Sequence, residues 1–365
     1  MDREYVQQIY NKLHTIPERG HLEYKTSEFI AGELEKIGYK VTKNVGTTGV
    51  IAVLDSGEPG PVLGIRADMD ALPYEVDGKT EYRHTCGHDS HSSMVLAAAK
   101  EIFASGIKKG KLYFIFQPAE ELLDGSETII NSGLINDINE IVGIHLRPIQ
   151  ECKLGYAIAA LWHSAAAPVQ IKVKGVGAHG ARPHLGVNAV EAAVHIVNAI
   201  NSIKANPSIS HSIKVTKINT GEGANNAIPD DAGMYIDVRC TDNNEMQNII
   251  EKIKSSIEAA VKINGAEAEY TIDLCPAAEY DQDMIDTNAE AIVEVLGEKA
   301  LIRDLYTAGS EDFHFYTKRL GCKASYIGLG ADLTPGLHHK DMTFDKNAMY
   351  DGVDILIKVI RKRVG

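Results

Sequence analysis

Apolar residues recur along this chain with two different periods, and the places where the period changes divide it. Over residues 4–38, Val6, Ile9, Tyr10 and Leu13, then Phe29, Ile30, Leu34 and Ile37, return at helical spacing, with a break at Pro17 and Gly20. Val41 and the run 49–54 read as strands, the second closed by the turn Gly57-Glu58-Pro59-Gly60, and 62–68 reads as a buried strand. A helix over 90–105 follows, then strand 112–117, helix 125–133 and strand 140–145. Strands alternating with helices predict an α/β domain whose mainly parallel sheet is sandwiched by helices.

Near Pro168 the pattern changes. Residues 169–174 alternate strictly between apolar and polar, as a half-exposed strand does. Helix 187–204, alternating strands at 212–219 and 234–239, helix 243–263 and strand 268–274 complete a β-α-β-β-α-β order. That order predicts a small α+β sandwich of the ferredoxin-like kind. Helix 286–296, strand 324–327 and helix 346–362 then resume the first style. The expected organisation is nested: an α/β domain of residues 1–166 plus 276–365, interrupted by an inserted domain, 167–275, of an ordinary domain size.

Bulk properties narrow the partners. The formal net charge of −13 argues against nucleic acid, since phosphate binding needs a basic surface. No run approaches the roughly 18 apolar residues that span a bilayer, and no secretory signal is visible at Met1-Asp2-Arg3-Glu4-Tyr5. The five cysteines are odd in number and scattered, which points away from a disulfide framework and toward a reducing cytoplasm.

The chemistry concentrates where buried strands end. Glu120 and Glu121 follow strand 112–117, His145 ends strand 140–145, and Cys86 and His88 precede helix 90–105, whose N-terminus favours a Cys86 thiolate. Leu337-His338-His339 lies in a later loop. Two adjacent carboxylates repel and lose solvation unless a cation sits beside them. Thiolate, imidazoles and carboxylate form a borderline-soft set suited to Zn²⁺, Mn²⁺, Co²⁺ or Ni²⁺, and five such groups fit two divalent ions sharing a bridge. Taken singly each motif is weak; their common position at strand ends is the signal.

With these residues in view, the chain resembles the metal-dependent aminoacylase/carboxypeptidase superfamily, in its amino-acid amidohydrolase branch. The matching segments run in order along nearly the whole chain: 13–18, 66–73, Cys86-Gly87-His88-Asp89, 116–121, Gly143-Ile144-His145, 177–184, 226–230, 309–313 and Leu337-His338. The resemblance implies Cys86, His88, Glu121, His145 and His338 as metal ligands, with Cys86 bridging and Glu120 as general base. It also implies that the inserted domain is a lid through which the protein dimerises, with His179 reaching a neighbouring subunit's site to stabilise an oxyanion. Asn226 and Arg239 match positions that hold the amino-acid part of a small N-acyl amino acid substrate. A guanidinium suits a carboxylate there, though a surface salt bridge is the plain alternative for Arg239. Asp68, Asp70 and Asp89 are candidates to orient ligands. The segment Tyr74–Arg83 is shorter than is usual in the branch and is expected to border the substrate mouth. Because His339 follows His338 directly, which of the two ligates stays open.

Overall fold

The apolar run after Gly110 forms the strand Lys111–Gln117, buried from Leu112 onward, and it lies inside an eight-stranded sheet. This computed structural model describes residues 1–221 and 223–365. From one edge the sheet runs Lys40–Val45, Gly49–Asp55, Lys111–Gln117, Val62–Asp68, Glu140–Pro148, Lys323–Leu333, Ala157–His163, Leu301–Thr307. Its four central strands are mutually parallel. On either side of them Gly49–Asp55 pairs antiparallel with Lys111–Gln117, and Ala157–His163 with Lys323–Leu333. The sheet is therefore mixed, with parallel pairing at its centre. Two strands of this sheet, Ala157–His163 and Leu301–Thr307, carry no alternation in the sequence: the first is alanine-rich and buried, the second mostly polar and partly exposed.

The chain divides into two compact units: Met1–Trp162 with Glu279–Tyr306 and Asp312–Gly365, and His163–Ala278 with Thr307–Glu311. In the first unit, helix His88–Ser105 packs against Arg3–His14, Tyr24–Ile37, Ala348–Val364 and strand Val62–Asp68. Every residue from His88 to Ala99 is buried, so its polar side chains must find partners inside. They do: Ser92 Oγ donates to Asp68 O, Ser93 Oγ to Asp89 O and Ser90 Oγ to Gly87 O, while Asp89 lies 2.6 Å from His14 Nδ1. This helix begins two residues earlier than its apolar pattern suggests, which draws His88 into its first turn.

The second unit is built as its alternation predicts. Its antiparallel strands stand in the order His211–Thr220, Asp231–Cys240, Val169–Lys174, Glu267–Ile272, and burial alternates strictly along Val169–Lys174. Helices Ala189–Asn201 and Asn243–Asn264 pack on each other over a separate apolar core. Asn188 and Asp242 cap them by accepting backbone N–H groups. Among the described residues all five cysteines are free and buried, and no helix is long and apolar enough to cross a membrane.

Candidate metal centre

Two turns and a strand at the carboxyl side of the parallel sheet deliver most of the candidate ligands. Gly87 holds a left-handed conformation between Cys86 and His88 (φ 86°), and a Cβ there would sit 3.1 Å from Leu146 Cδ1, so that turn needs glycine. Ala119, also left-handed (φ 53°), turns the chain out of strand Lys111–Gln117 into the short 3₁₀ turn Glu120–Leu122. His145 projects from within strand Glu140–Pro148, which runs three residues past the histidine that the sequence takes as its end.

The structure brings Cys86, His88, Glu120, Glu121, His145 and His338 together in three overlapping groups. Cys86, His88 and His145 form one, Cys86, Glu121 and His338 a second, and His88, Glu120 and Glu121 a third, each with ligand atoms within 4.8 Å of one another. Cys86, His88 and Glu121 each belong to two of them. Cys86 Sγ lies 3.4 Å from His145 Nε2, and His338 Nε2 lies 3.3 Å from Glu121 Oε1. His338, not His339, stands in this cluster; His339 Nδ1 accepts the Asp341 N–H instead.

Neighbouring groups fix which nitrogen each imidazole presents. The Leu146 carbonyl can only accept, so His145 Nδ1–H donates to it at 2.6 Å and Nε2 is left facing Cys86. Asp70 likewise accepts the His88 Nδ1–H at 3.0 Å, leaving His88 Nε2 for the centre. The other oxygen of Asp70 accepts the Glu121 N–H at 3.0 Å, so one carboxylate orients two candidate ligands. Asp68 serves a different partner, accepting from His91 Nδ1 at 2.7 Å, and Asp89 is engaged by His14 rather than by a ligand.

The donor set fits divalent metal. His88 Nε2 and Glu121 Oε1 are buried and make no hydrogen bond, a costly state unless a cation satisfies both. Burial lowers the affinity of His88 for a proton, yet Asp68, Asp70 and Glu121 outweigh it and hold its pKa up at about 10. That balance marks a local surplus of negative charge. His145 is pushed the other way by burial, with His91 and Arg147 adding to it, so it is held neutral and able to coordinate. Cys86 differs from expectation: burial first, then Glu121 and Glu120, raise its thiol well above the usual range. The helix N-terminus does not win there; a metal ion at the sulfur would be needed to favour the thiolate.

Two supports were not anticipated. Glu23, fully buried ahead of helix Tyr24–Ile37, accepts the Ala119 N–H at 2.8 Å and the Thr48 hydroxyl at 2.5 Å, pinning the left-handed residue that aims Glu120 and Glu121. Nothing in the local sequence distinguishes Glu23 from an ordinary acidic residue at a helix start. Tyr74, on the hairpin Leu72–Val76/Lys79–Arg83, places its hydroxyl 2.6 Å from Thr85 Oγ1 and donates to His338 O at 2.8 Å. That hairpin had a legible signal, the Asp77-Gly78 pair, whose positive φ values close the turn. Glu23→Ala is expected to weaken divalent-metal affinity about 10- to 100-fold, the usual cost of losing an outer support. Glu23→Gln, which keeps an acceptor for the Ala119 N–H, should restore most of it. Metal titration of both variants checks this, and equal affinities in wild type and Glu23→Ala would refute it.

The second unit holds the remaining candidates. His179 and Asn226 are neighbours: residues 178–179 pair with 227–228, and Asn226 O accepts the Gly180 N–H. The Ala181 N–H donates to His179 Nδ1 at 3.0 Å, which makes Nε2 the protonated nitrogen of the neutral ring, on an exposed residue. Arg239 is occupied at home, donating to Asp237 and, at 3.0 Å, to Ser310 Oγ.

Comparison with known proteins agrees with this centre. Residues 64–362 match the model of peptidase family M20/M25/M40. The chain is 30% identical to a hippurate hydrolase of Campylobacter jejuni over 370 residues, covering 98% of this chain and 96% of the relative. It is 29% identical to thermostable carboxypeptidase 1 of Saccharolobus solfataricus, covering 90% and 86%. The crystal structure of Bacillus subtilis YXEP, described as a dinuclear metal-binding peptidase, superposes with a TM-score of 0.82 at 25% identity, covering 99% of both chains. The chain belongs to peptidase family M20/M25/M40, a family of metal-dependent amide hydrolases.

Proposed function

We propose that this protein hydrolyses the amide bond of N-acyl amino acids, releasing a carboxylic acid and an amino acid. The observation that carries the reading is the division of labour in the Glu120–Glu121 turn. Glu121 is anchored through its N–H to Asp70 and turns an oxygen toward His88 and His338, while Glu120 Oε2 lies 3.9 Å from His88 Nε2. Both glutamates are equally near His88, and on the further contact of Glu121 with His338 we assign Glu121 to the metal and Glu120 to proton transfer.

Two divalent ions of the Zn, Mn, Co or Ni class, held by Cys86, His88, Glu121, His145 and His338, would polarise the scissile carbonyl and bring the pKa of water toward about 7. Glu120 takes the proton of the attacking water as its oxygen adds to the carbonyl carbon. It then delivers that proton to the amine as the C–N bond breaks. His179 Nε2–H donates to the developing oxyanion, and Asn226 and Arg239 hold the amino-acid part. For Arg239 this requires exchange of its Asp237 partner for the substrate carboxylate. We assign residues 1–166 plus 276–365 to catalysis and 167–275 to a lid and dimerisation domain, so that the protein acts as a homodimer with His179 serving in trans. Its five free cysteines support a cytoplasmic setting.

The test is a hydrolysis screen of N-acetyl, N-benzoyl and long-chain N-acyl amino acids beside dipeptides, with Mn²⁺, Zn²⁺, Co²⁺ or Ni²⁺ restored to chelated protein. N-acyl amino acids should exceed dipeptides by about tenfold or more in kcat/KM. Preference for dipeptides would favour the second reading, a dipeptidase or carboxypeptidase using the same centre, to which the likeness to a carboxypeptidase lends support. No metal-dependent hydrolysis of any of these amides would overturn both.

A further inference from the structure

The first unit contains a cavity of about 360 Å³ that reaches the metal centre, lined by Glu121, Leu72, Pro73, Leu122, Tyr82 and Arg19, with Asp70 beside them. Its volume sits at the lower end of those that take small molecules. Most of these contacts are apolar, and Arg19 is the only cationic residue among them. Arg19 is exposed and makes no ion pair among the described residues. The nearest arginine of the adjoining hairpin, Arg83, is by contrast held by Glu81 at 3.0 Å. A guanidinium with no ion-pair partner among the described residues, on the lining of a mostly apolar cavity, can bind an anionic end group.

We propose that this cavity receives the acyl arm of the substrate and that Arg19 reads a carboxylate carried on that arm. The preferred acyl group is then one that carries its own carboxylate, kept short by a cavity of about 360 Å³. This deepens the function proposed above and rests on it. An amide whose carbonyl lies at Glu121 has two arms; with the amino-acid carboxylate assigned to Arg239, the acyl arm is the one left for this cavity. Its methylenes would lie against Leu72, Pro73 and Leu122, and its terminal carboxylate would meet Arg19. A singly charged carboxylate suits the place better than a phosphate, because Asp70 and Glu121 line the same cavity and repel a dianion more strongly.

The experiment compares N-succinyl and N-butyryl derivatives of one amino acid, the one best released in the acyl screen. The two acyl chains differ chiefly in the terminal carboxylate. In the metal-loaded wild-type enzyme the succinyl substrate should win by about five- to tenfold in kcat/KM, the factor a partly exposed charge-assisted hydrogen bond provides. Arg19→Gln should erase that ratio, chiefly through KM, and Arg19→Glu should invert it. Calorimetry with succinate and butyrate gives a readout that needs no turnover: succinate should bind wild type more tightly than butyrate does, and Arg19→Gln should lose the difference. A wild-type ratio at or below one, or a ratio that Arg19→Gln leaves unmoved, overturns the proposal. If no N-acyl amino acid is hydrolysed, the functional reading fails and the calorimetry alone decides the subsite, equal affinities for the two acids overturning it.

Discussion

Glu120→Gln is expected to lower kcat by about 10²- to 10⁴-fold, the usual contribution of general acid–base catalysis, while the protein keeps its full complement of metal. Glutamine has the size of glutamate and can still hydrogen-bond, but it cannot carry a proton from water to a leaving amine. The substitution therefore separates proton transfer from metal binding. Glu121→Gln should do the opposite. It removes charge from the oxygen that faces His88 and His338, so metal affinity falls and added metal recovers part of the rate. The measurement is kcat together with metal stoichiometry for both variants. Near-normal kcat in Glu120→Gln would remove its assigned role, and loss of metal in that variant would mean that the two carboxylates are not divided as their backbone anchors suggest.

The parts of this centre that could be read in the sequence are those that follow from strand ends. Buried strands at 62–68, 112–117 and 140–145 are visible as apolar runs, and their carboxyl ends put Glu120, Glu121 and His145 on one side of the molecule before any coordinate is known. The choice between His338 and His339 could not be read, because it depends on the left-handed backbone at His338 and on the Thr85 carbonyl that accepts its N–H. Nor could the Cys86 thiol be judged from its helix. Its protonation is set by burial and by carboxylates that come from other strands. The antiparallel strand Ala157–His163 is invisible to pattern for a related reason: burial on both faces leaves no alternation to detect, and alanine carries little strand preference. Half-exposed elements such as Val169–Lys174 reveal themselves because solvent marks every second residue. Contacts far apart in the chain, such as Glu23 to Ala119, leave no local trace at all.

Arg66→Met is the substitution expected to cost the most stability. The guanidinium is fully buried in strand Val62–Asp68 and donates to partners that include Asp68 at 2.7 Å, Asp312 at 2.9 Å, Gln117 Oε1 at 2.9 Å and the Tyr326 hydroxyl at 3.1 Å. Asp312 in turn accepts from Gln117 Nε2 and from the Ser126 N–H. Asp68 accepts from His91, whose other nitrogen takes the Leu146 N–H, next in the chain to His145. Methionine fills much of the volume but leaves two carboxylates buried without their shared cation. Breaking a buried pair from one side costs about 3–5 kcal/mol, which for a unit of this size lowers Tm on the order of 10 °C. Adding Asp312→Asn to Arg66→Met removes one of the stranded charges and should recover part of the loss. Thermal melts of metal-free protein isolate this effect from metal binding. A loss below about 1 kcal/mol would mean that water or a shifted protonation compensates the carboxylates. Because the same network ends beside His145, a full loss should also be accompanied by weaker metal affinity, whereas a purely local packing defect would leave that affinity where it was.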